Sequence, residues 1–216
     1  MKKIFIFDLD GTILDTVHTI AHYVNTALNH FGFPENEVVR YNYLAGNGAE
    51  NLIHRALAEH GLDTSENFDK VFPYYMEIYN KDTLYKTAHF EGMPQTLAQL
   101  KAKGIQLAVV SNKPDSSVQM LMPQFFKADL FDYVSGAKEN VPLKPNPYAV
   151  NEILSRAGFS AQDAVYVGDT GTDMETGKNA NIFTVGVLWG FRDAKELLEN
   201  GADVLVEKPN ELLLYI

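Results

Sequence analysis

The chain contains no cysteine, which excludes a disulfide framework and any thiolate metal site. It also lacks a long hydrophobic run. No stretch approaches the roughly 20 apolar residues that span a bilayer, and the apolar start at Ile4–Phe7 runs at once into charge, unlike a signal peptide. Basic residues are scarce: 18 Lys and Arg stand against 28 Asp and Glu, a formal net charge of −10. Such a chain has no general attraction for nucleic acid or anionic lipid. An anionic ligand would have to be captured locally, by a metal or a few placed cations. The expectation is a cytoplasmic enzyme with a small-molecule partner, no nucleic acid and no membrane. Monomer and homodimer remain open, because an exposed helix face and a dimer seam read alike.

What is present is ordinary for a folded protein: 46% apolar and 21% charged residues in a chain of 216. That length suits one domain carrying a sizeable insertion. Short, non-alternating apolar runs at 4–7, 105–110, 164–167 and 182–187 read as strands covered on both faces, with 203–206 as a further edge strand. Helical patterns fall between them at about 93–103, 114–124, 146–157, 171–180 and 193–199. Lys103-Gly104 supplies a cation and a glycine stop for the first, and Pro114 stands where a first helical position belongs. This alternation predicts an α/β core, a Rossmann-like parallel sheet with helices on both faces. Residues 15–85 break it, with helical patterns at about 16–31, 49–60 and 66–80 and no convincing strand. The expected organisation is a core of 1–14 and 86–216 with a small α-helical cap domain over 15–85.

Four polar clusters follow the strands. Asp8-Leu9-Asp10-Gly11-Thr12 places two carboxylates at the end of a buried strand, where open α/β sheets bind ligands. Gly11 permits a turn other residues resist. Ser111-Asn112 supplies a hydroxyl and backbone amides near a helix start, an anion site in kind. Lys144 lies in a proline-bracketed loop, and Asp169 and Asp173 stand four residues apart after the strand at 164–167. Each cluster alone has a bland reading as a cap, a turn or a solvated charge. Together they converge on one edge of one sheet. Asp8, Asp10, Asp169 and Asp173 in one crevice need a cation, and oxygen ligands without His or Cys suit Mg²⁺. The implied chemistry is phosphoryl transfer.

The ordered set DLDGT (8–12), VVSNK (109–113), KPNP (144–147) and GDTGTD (168–173) resembles the haloacid dehalogenase superfamily, in particular its phosphoglycolate-phosphatase-like members with a helical cap. The resemblance covers nearly the whole chain and implies a role for each matched residue. Asp8 would be the nucleophile that forms an aspartyl-phosphate. Asp10 would be acid and then base, with its carbonyl also on the metal. Asp169 would be a direct metal ligand, and Asp173 a ligand directly or through water. Ser111 and the Asn112 amide would hold phosphate oxygens, and Lys144 would neutralise both Asp8 and the phosphoryl group. The second carboxylate, Asp10, argues against dehalogenation.

In the expected cap, Gly46, Asn47 and Gly48 precede a helix and read either as a substrate-facing loop or as an ordinary helix entry. Arg55, Lys81 and Lys86 are cap or linker cations that read either as contacts for the leaving group or, more simply, as solvated surface charges. His18 and His22 share a helical face but lack a third metal ligand. Trp189-Gly190-Phe191-Arg192 reads as packing near the site rim. The function expected is hydrolysis of a small phosphomonoester, with 2-phosphoglycolate the first substrate to try. The alternatives are a β-phosphoglucomutase-like isomerase and, from another class, a non-catalytic binding or regulatory module on the same fold.

Overall fold

The first strand sets the architecture. In a computed structural model, which describes residues 1–82 and 84–216, β1 (Ile4–Phe7) is buried along its whole length. Its side chains alternate between two cores, as the period of a strand requires. Phe5 and Phe7 pack with Leu107, Val109, Val165 and Val167 on one face, and Ile4 and Ile6 with Ala108, Val110 and Tyr166 on the other. Each such side chain contributes about 1.5–3 kcal/mol by leaving water, so both faces must be covered.

Two short strands, β2 (Leu14–Asp15) and β3 (Ala88–His89), form a separate antiparallel ribbon. The main sheet continues with β4 (Gln106–Pro114), β5 (Tyr133–Ala137), β6 (Ala164–Gly168), β7 (Phe183–Val187) and β8 (Val204–Val206). All six strands of the main sheet run parallel, in the order β5-β4-β1-β6-β7-β8. The chain moves from β1 outward through β4 to β5, then crosses to β6 on the other side. That reversal at β1 opens a crevice above the C-terminal strand ends.

Between β2 and β3 lies a helical insertion of α1 (Val17–His30), α2 (Tyr41–Leu44), α3 (Ala49–Ala58) and α4 (Ser65–Tyr79). It has its own core, with Tyr23, Val24, Tyr41, Ile53, Val71 and Tyr75 buried together. Thr64 caps α4 by accepting from the Asn67 amide at 3.3 Å. The core helices are α5 (Met93–Ala102), α6 (Asp115–Phe125), α7 (Tyr148–Ala157), α8 (Gly171–Asn179) and α9 (Ala194–Glu199). No helix of the described residues is long and apolar enough to cross a membrane.

Three features depart from the sequence expectation. β5 lies at a sheet edge, and four of its five residues are only half-buried, so its Tyr-Val-Ser-Gly-Ala lacks the apolar run that marked the other strands. The β2–β3 ribbon, which brackets the segment read as strand-free, is not foreseen, because two residues per strand are too few to show a period. Finally, β4 does not stop at Val110. It runs on to Pro114 through a register shift, so Ser111-Asn112-Lys113 belongs to the strand and the helix starts at Asp115.

Candidate active site

The three central strands β4, β1 and β6 are hydrogen-bonded neighbours, and their ends deliver the polar clusters to one place. Asp8 follows β1, its amide held by the Val167 carbonyl of β6 at 2.9 Å. Asp169 follows β6. One carboxylate oxygen from each of Asp8, Asp169 and Asp173 lies within 4.8 Å of the others, and all three residues are buried. Carboxylates this close in a dry site repel strongly.

The supporting bonds show how each is held. Lys144 Nζ donates to Asp8 Oδ1 and to Asp173 Oδ1, both at 2.7 Å. Asp169 accepts from Thr12 Oγ1 at 2.8 Å and from the Phe191 amide at 2.8 Å. Asp173 is the third residue of a capping box at the start of α8, accepting from the Thr170 amide and hydroxyl at 3.1 and 2.6 Å. Tyr166 Oη adds a contact at 3.3 Å. With four donors around it, the Asp173 carboxylate has its lone pairs engaged. The helix-capping reading of this residue is therefore realised together with its place in the acidic cluster.

Electrostatics favour a cation beside these carboxylates. Burial, with repulsion from Asp173 and Asp10, raises the Asp8 pKa to about 7 despite Lys144. Burial and the charges of Asp173 and Asp8 push Asp169 well above the carboxylate range. Lys144 is driven well above the ordinary lysine value, because Asp173 and Asp8 more than offset its burial. The donor set is hard oxygen with no nitrogen or sulfur, which fits Mg²⁺. A consequence can be measured. Asp8 starts from 3.8 in the unfolded chain, so the folded form holds its proton more tightly. The stability this confers is complete below about pH 4 and is lost as pH rises through about 7. The melting temperature in EDTA should fall by several degrees between about pH 5 and pH 7.5. Excess Mg²⁺ should remove most of that slope by replacing the proton with a cation. A flat profile in EDTA would show that the carboxylates are not in conflict.

Gly11 is what lets the first cluster turn under Asp169. Its φ is +84°, and a Cβ there would lie 2.2 Å from Asp169 Oδ2. Gly11→Ala should cost about 1–3 kcal/mol in backbone strain and shift Asp169, so activity should fall further than thermal stability does. Parallel denaturation and rate measurements check this.

A cavity of about 50 Å³ joins the cluster to the helical insertion. Asp8, Asp10, Ser111, Asn112, Gly46 and Gly48 all line it. The Asn112 side chain ties strand, loop and insertion together. It donates to the carbonyls of Lys144 (3.1 Å) and Gly46 (3.3 Å) and accepts from the Lys144 amide at 2.8 Å. Asn47 reaches Thr172 Oγ1 at 2.9 Å, an insertion-to-core bond outside the cavity lining.

Other expected residues lie elsewhere. Arg55 does not line the cavity; it donates to the Leu44 carbonyl at 3.3 Å. Lys81 pairs with Glu77 at 2.6 Å on the surface, and Lys86 sits over the Tyr85 ring. His18 and His22 line a separate hollow, with His22 stacked on Tyr85. The sequence reading missed Lys113, whose Nζ holds Asp10 at 2.8 and 3.0 Å. Arg192, read as packing near the site rim, donates to the Ala45 carbonyl at 2.9 Å and so fastens the loop before Gly46 to the core. Lys113 could have been found: two residues after Ser111 on a strand, it shares a side with it.

Comparison with known proteins agrees with this geometry. The profile of the family described as haloacid dehalogenase-like hydrolase matches residues 5–187. A phosphoglycolate phosphatase of Pseudomonas savastanoi pv. phaseolicola is 30% identical over 216 residues, covering 99% of this chain and 79% of that protein. A crystal structure from Lactobacillus delbrueckii subsp. bulgaricus superposes with a TM-score of 0.93 at 31% identity, covering 98% and 97% of the two chains. A β-phosphoglucomutase of Clostridium difficile superposes at 0.74 with 21% identity, covering 98% and 93%, a likeness of fold alone.

Proposed function

Because the chain belongs to the haloacid dehalogenase-like hydrolases, we propose that it is a Mg²⁺-dependent phosphatase that transfers the phosphoryl group of a small phosphomonoester to Asp8 and then to water. One observation carries the reading: the buried cluster of Asp8, Asp169 and Asp173 beside the Ser111-Asn112 wall of a cavity. In this reading residues 1–14 and 86–216 are the catalytic core, and 15–85 form a cap that closes over it.

Asp8 attacks phosphorus through a carboxylate oxygen, the P–O bond to the leaving group breaks, and the departing alkoxide takes its proton from Asp10. Asp10 then accepts a proton from water, whose oxygen attacks phosphorus and frees Asp8 and inorganic phosphate. Lys144, bonded to Asp8, neutralises charge as it builds on the phosphoryl oxygens. Ser111 and the Asn112 amide hold those oxygens in place. Asp8, Asp169 and the Asp10 carbonyl would hold Mg²⁺, which supplies Lewis-acid neutralisation of the phosphoryl oxygens when bound. Asp173, already saturated by donors, serves through water and by positioning Lys144.

The named relatives favour a compact leaving group, with 2-phosphoglycolate the leading candidate. The β-phosphoglucomutase neighbour, at 21% identity, shares the fold alone, which gives the mutase reading less support. The intact set of Asp8, Asp10, Ser111, Lys144 and Asp169 weighs against a non-catalytic module. The test is phosphate release from a panel of metabolite esters with and without Mg²⁺, ranked by kcat/KM. We expect metal-dependent release, led by 2-phosphoglycolate. Isomerisation of β-glucose 1-phosphate without release would instead establish the mutase.

A further inference from the structure

The cavity poses a question of charge that the phosphoryl chemistry leaves unanswered. Much of its lining is aliphatic or aromatic: Ile20, Ala49, Leu52, Tyr75, Tyr79 and Phe191. Among the described residues one cation lines it, Lys113, whose side chain is 4% exposed. A buried ammonium is costly to keep unless it is paired, and this one is paired twice. Two of its bonds go to Asp10, at 2.8 and 3.0 Å, and its Nζ sits 5.0 Å from the centre of the Tyr79 ring contributed by the helical insertion.

Position gives this lysine its meaning. On the proposed phosphatase reading, on which this inference rests, Asp10 meets the oxygen that leaves phosphorus. Lys113 grips that same carboxylate, so it stands beside the first atoms of the leaving group, on the side facing the insertion. Arg55, bonded to a backbone carbonyl, and Lys81, paired with Glu77, lie off the cavity lining. Lys144 is committed between Asp8 and Asp173. An anionic group one carbon beyond the ester oxygen would meet, among the described lining residues, one positive side chain, that of Lys113.

We propose that Lys113 is the specificity-determining residue that recognises a carboxylate on the leaving group, so that the enzyme selects phosphomonoesters of small 2-hydroxy acids over neutral esters of the same size. The insertion takes part through Tyr79, which confines the ammonium next to the reacting bond.

The test compares kcat/KM for 2-phosphoglycolate with that for phosphoglycolamide, its neutral isostere, in wild type, Lys113→Gln and Lys113→Arg. Wild type should prefer the carboxylate. In Lys113→Gln the preference should fall by about 10- to 100-fold, the size of a charge-assisted hydrogen bond, with most of the loss in KM for the carboxylate. Lys113→Arg should keep more of the preference than Lys113→Gln. Because the readout is a ratio, a general loss of rate through Asp10 cancels. A ratio in Lys113→Gln within about threefold of wild type overturns the assignment. So does a wild type without preference, whether or not the variants fold, and either result leaves the phosphatase reading standing. A wild type that hydrolyses no ester with Mg²⁺ removes that reading, and this assignment with it.

Discussion

Asp8→Asn should abolish turnover, with kcat for any accepted ester falling by about 10⁴-fold or more, the scale seen when an enzyme loses its nucleophile. The carboxamide keeps the shape of the side chain but cannot attack phosphorus. The same substitution should stabilise the metal-free protein near neutral pH. Asp8 is buried beside Asp10 and Asp173 and its pKa is lifted to about 7, so an uncharged group there relieves repulsion. Activity lost and metal-free stability gained is a paired outcome that ordinary damage does not produce. Steady-state phosphate release and melting curves in EDTA measure both. Retained activity would remove Asp8 from the mechanism.

Lys144→Met should reverse the second half of that pattern. The ammonium is 4% exposed and bridges Asp8 and Asp173 at 2.7 Å each. Removing it leaves two buried carboxylates without their partner, a loss of about 3–5 kcal/mol for breaking a buried pair. Rate should fall with it by about 10²- to 10³-fold, as when a transition-state donor is removed. Mg²⁺ should restore part of the stability and little of the rate, because the cation relieves the acidic cluster but does not replace the lysine at Asp8. A variant with wild-type stability in EDTA would mean that the pair contributes nothing to holding the site together.

The sequence was most informative where burial leaves no choice. β1 and β6 read as apolar runs because both faces of the sheet are covered, and strand ends in one parallel sheet must share an edge. That was enough to gather Asp8, Ser111, Lys144, Asp169 and Asp173. The hidden parts rest on contacts with no local pattern. β5 takes its place from an edge position, and the β2–β3 ribbon is too short for a period. Arg192 reaches the Ala45 carbonyl across 147 residues of chain, which neither spacing nor propensity foretells. Arg55 shows the converse: a cation in the expected segment whose direction is set by the packing of α3 against the Leu44 turn. Lys113 was overlooked for a different reason. Extension of β4 through the polar cluster turned an expected helix entry into strand, and only on a strand does Lys113 fall beside Ser111.

The most direct test is rapid acid quench of wild type turning over 2-phosphoglycolate with Mg²⁺, followed by peptide mass spectrometry. The peptide carrying Asp8 should gain the mass of one phosphoryl group at a rate that supports turnover, and the label should vanish in hydroxylamine. Rapid turnover with Asp8 unmodified at every quench time, or a label formed on another residue, would contradict it.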